Sequence, residues 1–266
     1  MGNNSYETIE LQLEAGVLTI ALNRPESYNA CNEAMTTELR KGLREAERNA
    51  EVRAILLTGR GKAFCSGQDL KEAPSPGEGE RRSLRDSLER RYNPIIRKLR
   101  TMPKPVVTAI NGIAAGAGCS LALAGDMRIM AEGAALLQAF VNIGLVPDSG
   151  SSHFLVQTVG YAKAFEIASL GEKIAAKEAH RLGLVNRVVA DADLYSSALE
   201  LANRYASGPT KAYGYLKKML DKAEKATLVE SLEYEVFMQE AAGRTDDYRE
   251  GVTSFVEKRP AAFQGK

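Results

Sequence analysis

The sequence predicts an α/β fold, with a core of alternating strands and helices over residues 1–193 and an all-helical region over 194–266. Two observations carry this. Short apolar runs such as "AILLTG" and "PVVTAI" alternate with stretches whose apolar residues recur every three or four positions. After Asp193 such runs stop, and helical patterns follow one another at 194–206, 210–224, 228–242 and 246–258. The chain has 266 residues, 44% hydrophobic and 26% charged, ample for a packed core.

The elements read in order as follows. "TIELQLEAGVLTIALNRP" is two strands joined at Glu14-Ala15-Gly16, the second ended by Pro25. Asn32 is placed to cap a helix in which Met35, Leu39 and Leu43 share a face. "VRAILLTG" is a strand ending at Gly59. A polar Pro/Gly loop, expected to be mobile, spans 71–79, and a charged helix follows over 80–99. "PVVTAI", "GDMRIMAE" and "ALLQAF" read as three further strands. Thr245 caps the last helix, Asp246 and Asp247 favour its dipole, and the tail "KRPAAFQGK" stops the helix at Pro260.

Several functional classes drop out. A net charge of +1 offers no electrostatic footprint for nucleic acid or an anionic membrane. No apolar stretch approaches the roughly 20 residues that span a bilayer. The start, "MGNNSYETIE", lacks a signal peptide's basic and apolar regions; it matches the myristoylation pattern at Gly2 only loosely, because Tyr6 follows the serine. Cys31, Cys65 and Cys119 are an odd number without paired spacing, which predicts free thiols in a cytoplasmic setting. Two histidines and no Cys/His cluster predict no metal.

Two glycine-rich turns carry chemistry. In "GKAFCSGQDL", Gly67 lets the backbone approach a ligand and leaves following amides free. In "INGIAAGAGCSLALAGD", Gly112, Gly116 and Gly118 lead into an Ala/Leu helix whose first N–H groups favour negative charge. Leu121 occupies the third glycine position of a dinucleotide fingerprint, so this is not one. Each turn alone is consistent with close packing. Together they can aim two amides at one acceptor, as an enolate on a thioester oxygen requires; losing one such donor costs on the order of 3 kcal/mol in the transition state.

"GKAFCSGQDL", "INGIAAGAGCSLALAGDMRI" and "EGVTSFVEKRPAAF", with "LNRPESYNA" and "GEKIAAKEAHRLGLVNRVV", resemble the signature regions of the crotonase, or enoyl-CoA hydratase/isomerase, superfamily over nearly the whole chain. The resemblance implies a ββα spiral core that binds acyl-CoA, a C-terminal helical trimerisation region, and assembly as a homotrimer or dimer of trimers. It implies an oxyanion hole from the backbone amides of Gln68 and Ala117, and no cofactor beyond the coenzyme A of the substrate. It also places the Ser66 carbonyl against adenine, and Arg24, Lys258 and Phe263 near the CoA nucleotide.

Within the superfamily, hydratases use two glutamates. The resemblance puts Ser120 and Phe140 at those positions, and neither can activate water. Dehalogenases pair an aspartate with a tryptophan; this chain has no Trp, and Phe140 stands where that residue would be. The resemblance places Asp148 at the loop position where several isomerases and a dehalogenase of the superfamily carry a catalytic aspartate. "FVNIGLVPDSGSS", "GPTKAYGYLKKML" and "EKRPAAFQGK" are most similar to the isomerases acting on the ring 1,2-epoxide of phenylacetyl-CoA, which implies that Asp148 moves a proton of the acyl chain. A single carboxylate can serve both proton steps of an isomerisation.

Local rules offer a competing role, because an Asp just before a helix is a preferred N-cap. His153 beside Ser151 and Ser152 reads as a helix residue, possible pocket lining rather than a nucleophile's partner, since sequence neighbours on a helix diverge. Cys65 and Cys119 are expected to pack, and Asp69 and Asp126 to hold turns. Alternatives are a 3,2-enoyl-CoA or dienoyl-CoA isomerase, a hydratase of fatty-acid oxidation, and an acyl-CoA-binding protein without catalysis.

Overall fold

The computed structural model describes residues 6–72 and 83–266. The expected loop at 71–79 and the residues around Gly2 lie mainly outside them. Strands β1 (Ile9–Glu14) and β2 (Val17–Leu22) form an antiparallel hairpin through Ala15 and Gly16, both with positive φ. Helix α1 (Glu33–Arg48) begins where expected, with the Asn32 side chain accepting from the Met35 amide. Its Met35, Leu39 and Leu43 are buried.

Beyond α1 the chain repeats one unit, a strand in each of two sheets and then a helix. The first unit is β3 (Ala54–Gly59), β4 (Ala63–Cys65), α2 (Leu84–Ser87) and α3 (Asn93–Thr101). The second is β5 (Val106–Ile110), β6 (Ile113–Ala115) and α4 (Ala117–Leu123). The third is β7 (Met127–Ala131), β8 (Ala135–Leu137) and α5 (Ser151–Leu170). Then come β9 (Lys173–Ala175), α6 (Ala176–Arg181) and β10 (Arg187–Val189). The large sheet has the order β1-β2-β3-β5-β7-β10 and the small one β4-β6-β8-β9. The pairs β2/β3, β3/β5 and β5/β7 are parallel, and β2, β3 and β5 are buried along their whole length, as parallel strands covered on both faces must be. This is the expected ββα spiral.

Helix α7 (Leu194–Ala206) packs on β3 and β5. Helices α8 (Thr210–Ala223), α9 (Leu228–Gly243) and α10 (Asp246–Glu257) complete the chain. Thr245 accepts from the Tyr248 amide and caps α10 as expected. No residue of α9 is buried, although the helix carries Val236 and Phe237, which are both exposed.

Two expected elements differ. The helix expected over 80–99 contains a π turn at Leu88–Tyr92 between α2 and α3, and it runs on to Thr101. Pro94 follows the π turn directly; it has no N–H to give the Arg90 carbonyl, which accepts from Arg40 at 2.7 Å instead. "ALLQAF" is a strand only to Leu137, where the pairing with β9 ends; a 3₁₀ turn, Ala139–Ile143, follows and buries Phe140.

Candidate active site

The two glycine turns meet. The Cys31 amide donates to the Gly67 carbonyl at 2.7 Å and the Asp69 amide donates to the Cys31 carbonyl at 3.1 Å. That parallel bridge turns the Gln68 amide away from Cys31, and it finds no acceptor among the described residues. Ala117, the first residue of α4, has an N–H that the helix itself cannot satisfy. Gly67 has φ of +97°, and a Cβ there would lie 2.8 Å from the Ala115 carbonyl oxygen and 3.5 Å from the Ala117 nitrogen. At Gly118 a Cβ would lie 2.1 Å from the Cys65 carbonyl oxygen. Only bare backbone fits at both contacts, so the Gln68 and Ala117 amides sit on facing turns.

Asp148 lies between the 3₁₀ turn and α5. It is not the helix cap. That position belongs to Gly150, which offers no side chain, because the chain turns through Ser149 (φ 51°) and Gly150 (φ 84°) before α5 starts. The Asp148 main-chain carbonyl, rather than its carboxylate, accepts from the Ser151 amide at 3.0 Å. The carboxylate accepts a 2.8 Å bond from the Ser149 hydroxyl and no other among the described residues. Burial raises its pKa above the usual carboxylate range, and the Ser149 bond opposes this only in part. A half-buried, under-solvated carboxylate of this kind is a better proton acceptor than a capping one.

The structure disposes the other residues singled out from sequence as follows. Ser120 is fully buried one turn into α4, and its hydroxyl donates to the Asp148 carbonyl at 3.0 Å. Phe140 is buried, with its ring 4.0 Å from where a Gly116 Cβ would be. Arg24 bonds Asp69 at 2.9 Å and the Ala30 carbonyl at 2.6 Å. Burial pushes the Asp69 carboxyl up, but the Arg24 guanidinium and the Lys71 amide outweigh it and hold it below its ordinary value. Asp126 accepts from the Val106 amide at 2.8 Å, so both aspartates hold turns as expected. Ser66 is exposed, and its amide donates to the Tyr28 carbonyl.

Lys258 and Phe263 are not brought to these turns within one chain. The Phe263 carbonyl accepts from Arg53, at the N-terminal start of β3, whereas Gln68 lies past the opposite end of that strand. Lys258 ends α10 in a left-handed conformation. His153 faces Glu224 at 3.2 Å, and Ser151 bonds Ser120 and Gln138, so no Ser/His pair forms. Cys31 and Cys65 lie 3.6 Å apart; their contact and burial hold the Cys31 thiol protonated. Burial pushes the Cys119 thiol up to about 12.

Sequence reading missed Tyr92. It ends the π turn, is 6% exposed, and its hydroxyl has no partner among the described residues. Burial raises its pKa, and Cys31, Cys65 and Asp148 add to the shift while the Arg91 guanidinium opposes it. No sequence signal marks a π turn; the helical periodicity runs through it. Among the described residues no cluster of three or more His, Cys, Asp or Glu could hold a metal, and no helix is long and apolar enough to cross a membrane.

A spiral of this topology with two facing amides belongs to a known class. Residues 12–266 match the enoyl-CoA hydratase/isomerase family, and the chain is a member of it. Among relatives, it is 43% identical to the 1,2-epoxyphenylacetyl-CoA isomerase of Escherichia coli (strain K12), over 98% of this chain and 99% of that one. It is 35% identical to the 4-chlorobenzoyl coenzyme A dehalogenase-2 of an Arthrobacter species, over 89% of this chain and 86% of the other. The solved enoyl-CoA hydratase of Bacillus anthracis superposes with a TM-score of 0.92 at 33% identity, covering 98% of this chain and 100% of that one. One fold thus carries three named chemistries, and the residues of the site must discriminate among them.

Proposed function

We propose that the protein is an acyl-CoA isomerase acting through an enolate, with the ring 1,2-epoxide of phenylacetyl-CoA as its substrate. The observation that carries this is the state of Asp148: half-buried, raised in pKa by desolvation, uncommitted to a helix cap, and tied to the helix that bears the Ala117 amide. Asp148 takes the proton α to the thioester. The Gln68 and Ala117 amides hold the negative charge that develops on the thioester oxygen, and the proton returns at another carbon. Ring expansion to the oxepin, or migration of a double bond in a 3-enoyl chain, follows from the same enolate. No net atom is gained or lost.

Hydration is disfavoured because Ser120 is buried in hydrogen bonds and Phe140 cannot transfer a proton. The identity to the Escherichia coli isomerase favours the aromatic epoxide. On this reading the cytoplasmic enzyme needs no cofactor besides the coenzyme A of its substrate. It works as a homotrimer or dimer of trimers, which the exposed Phe237, Phe255 and Val256 of α9 and α10 support. The nucleotide contacts assigned to Arg24, Ser66, Lys258 and Phe263 belong to the same proposal, with the tail residues acting on a neighbouring subunit.

The test measures turnover of the epoxide, generated in situ, beside 3-hexenoyl-CoA. Asp148→Asn should keep the fold and reduce turnover of both by about 100- to 10,000-fold, the usual contribution of a positioned base. Unchanged turnover would remove Asp148 from the mechanism. Exchange of α-protons with deuterated water separates catalysis from mere binding.

A further inference from the structure

We infer that Ser120 is a positioning residue. Its hydroxyl ties the Asp148 main chain to the helix carrying the Ala117 amide and so fixes the separation between base and oxyanion donor. The inference rests on the reading of Asp148 as the base.

The tether is one end of a buried chain of hydrogen bonds. Gln138 Nε2 donates to Ser151 Oγ at 3.0 Å and lies 3.3 Å from Cys119 Sγ. Ser151 Oγ and Ser120 Oγ are 2.7 Å apart, and Ser120 Oγ lies 3.0 Å from the Asp148 carbonyl oxygen. The direction follows from the end groups. The Gln138 amide nitrogen can only donate and the Asp148 carbonyl can only accept, so the Ser151 proton goes to Ser120 and the Ser120 proton to Asp148. The Gly116 carbonyl, at 3.3 Å, is the longer alternative for Ser120.

Ser120 and Ser151 are 0% exposed, and Gln138 and Cys119 only 1% and 2%. Breaking a link in so dry a place leaves a polar group unpaired rather than solvated.

The backbone beyond Asp148 needs such a hold. Ser149 at φ 51° and Gly150 at φ 84° are two successive left-handed residues, and a serine stays there only where its surroundings over-determine it. The bonds from Ser120 and from the Ser151 amide converge on the Asp148 carbonyl, while Ser149 Oγ engages one carboxylate oxygen. The other oxygen is left for substrate. Because Ser120 lies one turn from Ala117 within α4, any movement of Asp148 relative to that amide strains the Ser120–Asp148 bond. At a position where the family resemblance expects a proton-transferring glutamate, this chain instead has an anchor.

The experiment compares wild type, Ser120→Ala, Ser120→Cys, Asp148→Asn and the Ser120→Ala/Asp148→Asn double variant. All are assayed on whichever of the epoxide and 3-hexenoyl-CoA the wild type turns over, with melting temperatures alongside. Ser120→Ala should lower kcat about 10- to 100-fold, as expected for a base misplaced by about 1 Å. KM should change by less than about twofold, because the interaction acts in the transition state. The acidic limb of the kcat/KM profile should move toward the ordinary carboxylate range as a released carboxylate regains water. Ser120→Cys, which keeps a weak donor, should fall between the two and carries the test if the alanine variant does not fold. In the Asp148→Asn background Ser120→Ala should change the remaining rate no further. A folded Ser120 variant with wild-type kcat and pH profile overturns the tether, and so does a full-size loss in the Asp148→Asn background. Wild-type turnover by Asp148→Asn itself overturns the reading of the base.

Discussion

Gly67→Ala tests whether the two amide turns share one acceptor. At φ +97° an alanine carries a conformational penalty of about 1–2 kcal/mol before any contact is counted. Its Cβ would stand 2.8 Å from the Ala115 carbonyl oxygen, well short of ordinary contact at 3.4 Å, and 3.5 Å from the Ala117 nitrogen. Both neighbours are main-chain atoms, so no side chain can swing aside. The turns must part, and the Gln68 and Ala117 amides part with them. Losing one of two preorganised donors is worth on the order of 3 kcal/mol, or roughly 100-fold in kcat. The local strain lowers stability by about 1–3 kcal/mol, less than the margin of a typical domain, so the variant should fold. Steady-state kinetics on the turned-over acyl-CoA, read beside a thermal melt, measure both effects. A folded Gly67→Ala enzyme with kcat within about twofold of wild type would refute the shared acceptor.

Three further expectations follow from the same geometry. Arg24→Ala removes the partner of Asp69, whose side chain is 9% exposed, and should destabilise by about 3 kcal/mol in urea unfolding; an unchanged midpoint would refute the pairing. Because Asp69 is held below its ordinary pKa, its contribution is present at neutral pH and fades as pH falls through that lowered value, and Arg24→Ala should flatten this acid slope. Tyr92→Phe deletes an unpartnered buried hydroxyl and should leave the protein as stable or more stable by about 1 kcal/mol, so a clear loss in the melt would reveal a hidden partner. Asp148 has the opposite sign from Asp69: its raised pKa means the folded state binds more protons, so stability falls as pH rises from the ordinary carboxylate pKa through the raised one. Asp148→Asn should abolish that fall, and equal pH slopes for the two proteins would count against a desolvated carboxylate.

The elements legible in the sequence are those whose causes are local. The hairpin at Ala15-Gly16, the Asn32 and Thr245 caps and the four C-terminal helices each depend on residues within a few positions of one another. The two amide turns were visible as glycine patterns, and a shared acceptor was expected of them; the contact that joins them, Gly67 against Ala115 across the spiral, was not legible because it depends on packing between distant segments. Helical periodicity passes through the π turn without a mark, which hid Tyr92.

Asp148 divides the two kinds of information most clearly. Local propensity makes an aspartate before a helix a cap, and that expectation fails because Ser149 and Gly150 turn left-handed and delay the helix start. Hydrogen bonds joining residues 120, 138, 148 and 151 flank that turn, and they exist only once α4, α5 and the segment after β8 have packed. By itself the sequence determined an α/β core and its helical appendage, since composition and periodicity act over short range; the spiral and the choice of Asp148 as candidate base came from the family resemblance. Tertiary packing alone decided which groups face one another and which carboxylate loses its water, because desolvation and backbone contact depend on what the rest of the chain brings alongside.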